Sequence, residues 1–598
     1  MLSVSRIHTS RFIASAILCI YPFIGGYQAL GAVRNDDALI SVSTPVYARR
    51  GNILDRNGLP LSSCREVRSI GLLPSLFYSD NDVNRAISKL LSKAAEEGTA
   101  PDISAFPIDK KTLAVKDLSR RQSLLSAVGL ESGVSDSDII ERLYDIFGIG
   151  DDLDNAFEVA AVRYLSLASG GERYTLFENA GSELCRTASA LAQKAPFIYI
   201  ETNYERYYPE YDGMTLCPHM IGLISAGDGI EGVFDRQLRG RNGRTVSGFE
   251  VLSGSIALKS RDVTPAENGK DITLTIDKDI QQSAQLLLAD AINDGRCTVG
   301  SVVVCDTRSG DILALASAPF FDLNRAGEEY EALSLDDTAP LFDRSRFGLY
   351  RPGSTMKTIT AYAALDDKKI NRDTFLWCGR YFPLGDTTFS CLGYHGFEDV
   401  ACALRDSCNV FFYKCAGMLG GEKLAKYQSD FGLGSEVGIE LDNAGGRVVT
   451  KESIEALGMV YGEGLVVQSA IGQSENAVTP LQMVQWAQII ANRGRLNTLG
   501  LLADRKRESR QVFENAEDFE AVTEGMVMAA DNIWGEYSLK GLEHQAAIKT
   551  GTPENGHGYN SAVIGFYPAD EPQVAFAVML EDSESAYTLV RALLKDIR

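Results

Sequence analysis

The residues with the clearest chemical potential lie in three short strings in the C-terminal half of the chain. They are Ser354-Thr-Met-Lys357 (S-x-x-K), Ser407-Cys-Asn409 (S-x-N) and Lys549-Thr550-Gly551-Thr552 (K-T-G-T). A serine hydroxyl is a poor nucleophile at neutral pH unless a nearby base takes its proton. The three strings together therefore predict an acylating serine site.

The local sequence around the first string predicts how serine and base would meet. Pro352 and Gly353 break the chain before a predicted helix over 355–365, so that Ser354 would lie in the first helical turn. Lys357 follows at i+3 on the same face, which brings its amine within reach of the hydroxyl. The positive end of the helix and the charge of Lys549 both disfavour an ammonium, so Lys357 is expected to act as a neutral base.

The other two strings are expected to serve the same reaction. Ser407 would pass a proton between Lys357 and the leaving group, while Asn409 would offer its amide to the substrate or to Lys357. Lys549 is expected to supply a cation and the threonines hydroxyls for a substrate carboxylate. We therefore predict the substrate-binding residues Thr550, Gly551 and Thr552. The oxyanion requires two backbone N–H groups, which the sequence does not identify.

The order S-x-x-K, S-x-N, K-T-G is that of the penicillin-binding proteins and serine β-lactamases, which this chain resembles. S-x-x-K and K-T-G each occur once, but S-x-N occurs three times, beginning at Ser79, Ser407 and Ser474. Order excludes Ser79, which precedes Ser354. Ser407 lies 53 residues after Ser354 and 142 before Lys549, and this similarity to the family's spacing favours it over Ser474.

Further motifs resemble the class B penicillin-binding proteins, the monofunctional D,D-transpeptidases of peptidoglycan synthesis. The matching strings are R-G-N-I-L-D-R-N-G at 50–58, G-I-E-G-V-F-D at 229–235, G-D-I-L-A at 310–314, Y-R-P-G-S at 350–354, A-I-G-Q at 470–473 and T-P-L-Q at 479–482. The resemblance covers residues 45–60 and 200–580, whereas 66–196 show no recognisable match.

The resemblance implies an α+β multidomain chain. A penicillin-binding/serine β-lactamase-like transpeptidase domain over 270–598, with an antiparallel sheet flanked by helices, would stand on an elongated N-terminal pedestal over 34–269. Residue patterns agree with this fold. For the transpeptidase domain they predict strands at 272–276, 301–305, 312–316, 546–549, 562–566 and 574–580, and helices at 280–291 and 587–597. For the pedestal they predict helices at 138–147 and 182–193 and a strand at 197–204.

The N-terminus carries a predicted membrane anchor. Residues 12–33 contain no charge and are long enough to span a bilayer, and the arginines before them should stay in the cytoplasm with residues 1–11. The single-pass topology would place the catalytic domain outside the cytoplasm. Pro22 and the small residues at 29–32 leave a cleaved signal peptide open as the alternative.

Composition excludes several other classes of function. A net charge of −22 and a pI near 4.8 argue against a nucleic-acid partner. No histidine pair has ligand spacing with a third partner and no phosphate-binding loop is present, so neither a metal nor a cofactor is expected. In an oxidising compartment cysteines are expected to pair. Cys378 and Cys391 are the favoured pair, and Cys408 is expected to be a small buried filler.

We therefore expect a peptidoglycan D,D-transpeptidase that acts on stem peptides ending in D-Ala-D-Ala and is acylated by β-lactams. Expected partners are a membrane glycan polymerase and other cell-wall synthesis proteins, bound through the pedestal and the anchor. Two alternatives stay open. One is a membrane-anchored β-lactam sensor, and the other is a D,D-carboxypeptidase or β-lactam hydrolase, since no string shows or excludes a deacylating water.

Overall fold

The computed structural model describes residues 39–116, 121, 124, 134–150, 152–170, 173–252, 255–556, 558–583 and 585–597. The strands are β1 (Leu39–Val46), β2 (Ile53–Leu54), β3 (Pro60–Leu72), β4 (Tyr174–Phe177), β5 (Ile198–Tyr207), β6 (Glu210–Tyr211), β7 (Met214–Thr215), β8 (Gly243–Leu252), β9 (Ser255–Thr264), β10 (Ile272–Thr273), β11 (Val299–Asp306), β12 (Ile312–Ala318), β13 (Leu376–Cys378), β14 (Tyr381–Leu384), β15 (Thr387–Ser390), β16 (Gly396–Glu398), β17 (Arg495–Asn497), β18 (Ser509–Gln511), β19 (Ala547–Gly551), β20 (Ser561–Tyr567) and β21 (Val574–Glu581).

The helices of the described residues are α1 (Asp80–Glu96), α2 (Asp136–Phe147), α3 (Ala156–Ala168), α4 (Ser182–Ala192), α5 (Pro218–Ile221), α6 (Gly229–Val233), α7 (Asp235–Leu238), α8 (Lys278–Asn293), α9 (Ala326–Leu335), α10 (Arg344–Phe347), α11 (Lys357–Asp366), α12 (Val400–Arg405), α13 (Asn409–Leu419), α14 (Gly421–Asp430), α15 (Lys451–Glu455), α16 (Glu463–Ser469), α17 (Pro480–Ala491), α18 (Ala516–Asp531) and α19 (Tyr587–Asp596).

The chain divides into two compact units, and each unit is formed by three segments that alternate along the sequence. The first unit contains the described residues up to 51, together with 64–206 and 239–270. The second contains 52–63, 207–238 and the chain from 271 onward. The last passage between the units thus lies between residues 270 and 271, while two earlier segments also belong to the second unit. The assignment of a pedestal over 34–269 stays a prediction.

Among its described residues, the first unit combines strands with helices α1 to α4 around its own apolar core. β8 pairs with both β1 and β9, and β3 pairs with β4 and β5. Helices α1 to α4 bury one apolar face each, and Leu90, Ile140, Val162 and Phe197 meet in the core. Ser79 caps α1 by accepting a hydrogen bond from Asp82 N. The helices and the strand predicted here are present as α2, α4 and β5.

The second unit is built on a five-stranded antiparallel sheet in the order β12-β11-β21-β20-β19. Side chains alternate across each strand. In β21, Val574, Phe576 and Val578 pack beneath α8 and α19, whereas Ala575 and Ala577 face the core that includes α17. Because helices cover both faces, most residues of these strands are apolar and buried.

The sequence expectations for this unit differ from the structure at two points. The strand predicted at 272–276 is shorter and ends at Thr273: Leu274 N still donates to Leu54 O of β2 at 2.8 Å, but Thr275 N donates to Leu501 O at 2.8 Å. The helix predicted to begin at 355 is preceded by a 3₁₀ turn over Gly353–Met356, and α11 begins at Lys357.

The predicted anchor over 12–33 lies outside the described residues. Within the part of the chain that the structure describes, no helix has the length and apolar character needed to cross a bilayer.

Candidate active site

Ser354 lies in the 3₁₀ turn that leads directly into α11. Thr355 and Met356 beside it are buried, whereas Ser354 stays half-buried. A hydrogen bond holds the first residue of the turn in place, since Gly353 N donates to Gly472 O at 2.9 Å. Gly353 has φ +57°, a conformation that side chains rarely adopt. The backbone thus presents the serine hydroxyl at the surface of an otherwise packed segment.

Lys357 is fully buried, with its amine surrounded by the S-x-N string. Its Nζ donates to Asn409 Oδ1 at 2.6 Å and to Ser407 O at 2.7 Å, and lies 3.1 Å from Ser407 Oγ. Burial, and then the positive charge of Lys549, hold the pKa of Lys357 well below that of an ordinary lysine. A neutral amine would use both N–H groups in the two shortest contacts, which leaves its lone pair to accept a proton.

Lys549 also contacts Ser407. Its Nζ lies 3.2 Å from Ser407 Oγ and 3.0 Å from Thr550 O, and the side chain is 1% exposed. Burial lowers the pKa of Lys549 to about 7. Ser407 Oγ therefore stands between two lysine amines, which is the position that a proton relay requires.

Lys549, Thr550 and Gly551 form the C-terminal end of β19, which lies at one edge of the main sheet, and Thr552 follows the strand. A Cβ added to Gly551 would stand 2.7 Å from Pro352 O and 3.3 Å from Ser354 N, so only glycine allows this approach. A Cβ on Gly353 would likewise stand 3.2 Å from Thr552 N. Thr550 is half-buried and Thr552 is exposed. The backbone amides of Ser354 and Thr552 are thereby brought to one place, which the sequence did not indicate.

The structure separates the three S-x-N strings by their surroundings. Ser79 caps a helix of the first unit. Asn476, in the string that begins at Ser474, is buried and donates to Ser469 O at 3.2 Å and Ser469 Oγ at 2.9 Å. Within the described residues only the string at Ser407 contacts Lys357. Ser407 adopts φ +53°, which turns its hydroxyl toward both lysines.

The cysteines do not pair as the sequence favoured. The ten described cysteines are all free thiols, Cys378 and Cys391 included. Instead, these two meet His395 and Cys408, and one ligand atom from each of the four residues lies within 4.8 Å of the other three. Sequence spacing did not reveal this group, because its members lie up to 30 residues apart in the chain and only one of them is a histidine. The four side chains could hold a metal ion.

Comparison with known proteins identifies two domains in this chain. The penicillin binding protein transpeptidase domain matches residues 300–597, and the penicillin-binding protein dimerisation domain matches residues 45–228. The chain is 25% identical to the peptidoglycan D,D-transpeptidase MrdA of Escherichia coli K12, over 92% of this chain and 87% of the relative.

Two solved structures have a similar fold. A complex of PBP2 with MreC from Helicobacter pylori aligns with a TM-score of 0.67 at 20% identity, over 93% of this chain and 98% of that chain. A structure described as the coordination of polymerization and crosslinking by a peptidoglycan synthase complex aligns with a TM-score of 0.66 at 21% identity, over 100% and 98%. With both domains matched in order, the chain belongs to the class B penicillin-binding proteins, the D,D-transpeptidases of peptidoglycan synthesis.

Proposed function

We propose that this member of the family cross-links peptidoglycan stem peptides through an ester on Ser354. The observation that carries the proposal is the buried amine of Lys357. This lysine is the first residue of the helix that follows Ser354, and its amine contacts Ser407 and Asn409. Desolvation of an amine costs free energy that a purely structural lysine would avoid at the surface. A depressed lysine pKa beside a half-buried serine is what activation of a hydroxyl nucleophile requires.

Acylation follows from these positions. Ser354 Oγ attacks the carbonyl carbon between the two terminal D-alanines, and its proton passes to the Lys357 amine. The oxyanion of the tetrahedral intermediate accepts hydrogen bonds from the amides of Ser354 and Thr552. Ser407 then relays a proton to the leaving nitrogen, the C–N bond breaks, and D-alanine departs. The stem peptide stays bound as an ester.

Substrate placement depends on the exposed edge of β19. An extended peptide can pair with the unpaired backbone groups of an edge strand. The C-terminal carboxylate would then lie near Lys549 and the hydroxyls of Thr550 and Thr552, with Gly551 allowing the close approach to the Ser354 turn. A β-lactam carries a carboxylate and a reactive amide in a similar arrangement, so it would acylate the same serine.

Deacylation completes the cross-link. The amine of a second stem peptide attacks the ester carbonyl, its proton is taken by Lys357, and the Ser354 hydroxyl is restored as the new amide forms. Hydrolysis would use water in place of the amine, and a sensor would stop at the ester. The described residues present no side chain that favours either of these over transfer to an amine.

We further propose the setting in which the reaction takes place. The uncharged residues 12–33 would anchor the chain with its N-terminus in the cytoplasm and the catalytic unit on the other side of the membrane. The similar Helicobacter pylori protein was solved with MreC, and another similar structure belongs to a peptidoglycan synthase complex. These support cell-wall synthesis proteins, including a glycan polymerase, as partners of this chain.

The test combines labelling with product analysis. A fluorescent penicillin should label the full-length chain and should not label Ser354→Ala. With lipid-linked precursors and a partner polymerase, mass spectrometry should detect cross-linked stems with the wild type alone. Labelling of Ser354→Ala, or a drug-bearing peptide mapped elsewhere, would refute the assignment. Only trimmed stems and no cross-links would identify a carboxypeptidase instead.

A further inference from the structure

Three aromatic side chains lie in contact with one another on the solvent side of the β13–β16 ladder. Trp377 and Phe397 are direct cross-strand partners with ring centroids 4.9 Å apart, and Tyr394 makes a T-shaped contact with Trp377 at 5.4 Å. The exposed fractions of Trp377, Tyr394 and Phe397 are 44%, 65% and 69%. We refer to these three residues as the aromatic platform. Contiguous exposed apolar surface marks a binding site, whereas single exposed apolar residues are ordinary.

The alternation of side chains explains why these rings face solvent. Successive side chains of a strand point to opposite sides of the ladder. Leu376 and Cys378 flank Trp377, Glu398 follows Phe397, and all three are buried or half-buried. Cys378 belongs to the main core of the second unit and Leu376 packs against it. The ladder therefore packs through one face and leaves the aromatic platform open to a ligand.

The platform is held close to the S-x-N string. Lys414, on the helix that begins at Asn409, donates from Nζ to Trp377 O at 2.7 Å. Cys378 Sγ, on the residue after Trp377, lies within 4.8 Å of Cys408 Sγ, on the residue before Asn409. With one step along the backbone and two cysteine side chains added to this distance, the Cα atoms of Trp377 and Cys408 are at most about 15 Å apart.

This separation matches the reach of the substrate proposed above. When Ser354 holds a stem peptide as an ester, about four stem residues separate the ester from the sugar that carries the stem, and an extended chain of that length spans about 14 Å. The glycan strand must therefore pass about as far from the catalytic serine as the platform lies from the S-x-N string. A protein partner seated on the platform would compete with the substrate for this space.

The chemistry of a glycan suits an aromatic surface. A β-1,4-linked hexosamine ring directs its polar substituents outward along the ring plane and presents C–H groups on its faces. These C–H groups carry a small positive partial charge, whereas the face of an aromatic ring is negative. Contact between the two surfaces also removes apolar area from water. Tyr394 adds a hydroxyl that can donate to or accept from the sugar.

We propose that Trp377, Tyr394 and Phe397 bind the sugar rings of the peptidoglycan strand whose stem peptide enters the Ser354 site. The platform forms and breaks no bond. It raises the local concentration of a stem that is attached to its glycan, and it contributes nothing to the capture of a free peptide or a β-lactam. The proposal rests on the proposed function for the identity of the substrate, but glycan binding itself can be measured without catalysis.

The first test measures binding of glycan strands from which an amidase has removed the stem peptides. The strands carry a fluorophore at one end, and their fluorescence anisotropy is measured with the full-length chain in detergent. Saturable binding is expected, and Trp377→Ala should weaken it about tenfold through loss of one stacked ring. Trp377→Tyr keeps a ring and should retain most of the affinity. The matched control is Trp534→Ala, which removes a tryptophan of the same unit that is 75% exposed and lies outside the platform, and it should bind as the wild type does.

The second test relates the platform to the reaction at Ser354. With lipid-linked precursors and a partner polymerase, the ratio of cross-linking rate to penicillin-labelling rate should fall about tenfold in Trp377→Ala, because penicillin carries no sugar. Trp534→Ala should keep the wild-type ratio. Tyr394→Ala changes a residue outside both strands of the ladder, so it provides the same comparison if Trp377→Ala does not fold.

The possible results lead to different conclusions. Absence of saturable glycan binding by the wild type, or equal affinity in the wild type and both platform variants, would overturn the proposal. Unchanged glycan affinity together with loss of the polymerase complex in the variants would assign the platform to a protein partner and would also overturn it. An unchanged ratio of cross-linking to labelling would overturn the role in substrate placement. Glycan binding that depends on Trp377, in a chain that penicillin never labels, would leave the platform standing and refute the proposed function instead.

Discussion

The low pKa of Lys549 predicts how capture of a β-lactam depends on pH. Replacement of this lysine by arginine, which does not lose its charge, tests whether Lys549 causes that dependence. Burial lowers the pKa of the lysine to about 7, so its charge disappears within the working range of the enzyme. Arginine stays charged at every accessible pH. If the role of Lys549 is to neutralise the carboxylate of the drug, Lys549→Arg should remove the loss of capture at high pH, whatever it does to the absolute rate.

The size of the effect follows from the titration. A group with a pKa of about 7 is protonated in about half of the molecules at pH 7 and in about one hundredth at pH 9. The second-order acylation constant of the wild type should therefore fall about 50-fold between these pH values. Burial and the charge of Lys549 lower the pKa of Lys357, and a general base that gains its neutral form as the pH rises cannot cause a fall in rate. In Lys549→Arg the constant should stay nearly level.

Stopped-flow acylation by a fluorescent penicillin, measured against drug concentration at each pH, gives the constant for the free enzyme. For each variant the acylation constant at pH 9 is divided by its own value at pH 7. A lower absolute rate caused by a poor fit of the guanidinium therefore cancels in this ratio. Lys451→Arg, whose side chain is 66% exposed, serves as the control and should follow the wild type. An equal fall in Lys549→Arg and wild type would show that another group titrates, and the role given to Lys549 would have to be withdrawn.

Three further outcomes are expected. Lys357→Arg should acylate about 10²- to 10⁴-fold more slowly than wild type and should not recover at pH 9, since a guanidinium cannot accept the serine proton; near-normal stopped-flow rates would assign proton transfer elsewhere. Lys549→Met should be inactive yet more resistant to urea at pH 7, because lowering the pKa from 10.5 to about 7 costs about 5 kcal/mol, which the lost hydrogen bonds offset only in part. Between pH 7 and 10.5 the unfolded chain holds the proton that folded Lys549 has lost. The free energy of unfolding of the wild type should therefore rise with pH, and the stability advantage of Lys549→Met should shrink. A urea midpoint of Lys549→Met below that of the wild type at pH 7 would contradict this. Protease added to intact protoplasts should digest the chain beyond residue 34, and protection of the catalytic unit until the membrane is broken would reverse the predicted topology.

The sequence alone was sufficient to predict the features that depend on local residue patterns and on the chemistry of the side chains. The runs at 301–305, 562–566 and 574–580 predicted strands, and β11, β20 and β21 lie there. Acyl transfer demands a nucleophile, a base and a carboxylate-binding cation, so the three strings could be read as one site from residue types and order. Such features depend on near neighbours in the chain, whose geometry backbone periodicity determines.

Tertiary structure decided what depends on residues far apart in the chain. Order and spacing favoured Ser407 among the three S-x-N strings, but only packing brings Ser407, 50 residues from Lys357, into contact with the amine of that lysine. Two glycines let β19 and the serine turn pack closely at the residues that carry the amides of Ser354 and Thr552, an arrangement that no local pattern encodes. The cysteines and histidine at 378, 391, 395 and 408 converge from separate strands and a helix cap, where the sequence favoured a disulfide. Local preference selects the elements, but burial and shape complementarity between them select which polar groups share a site.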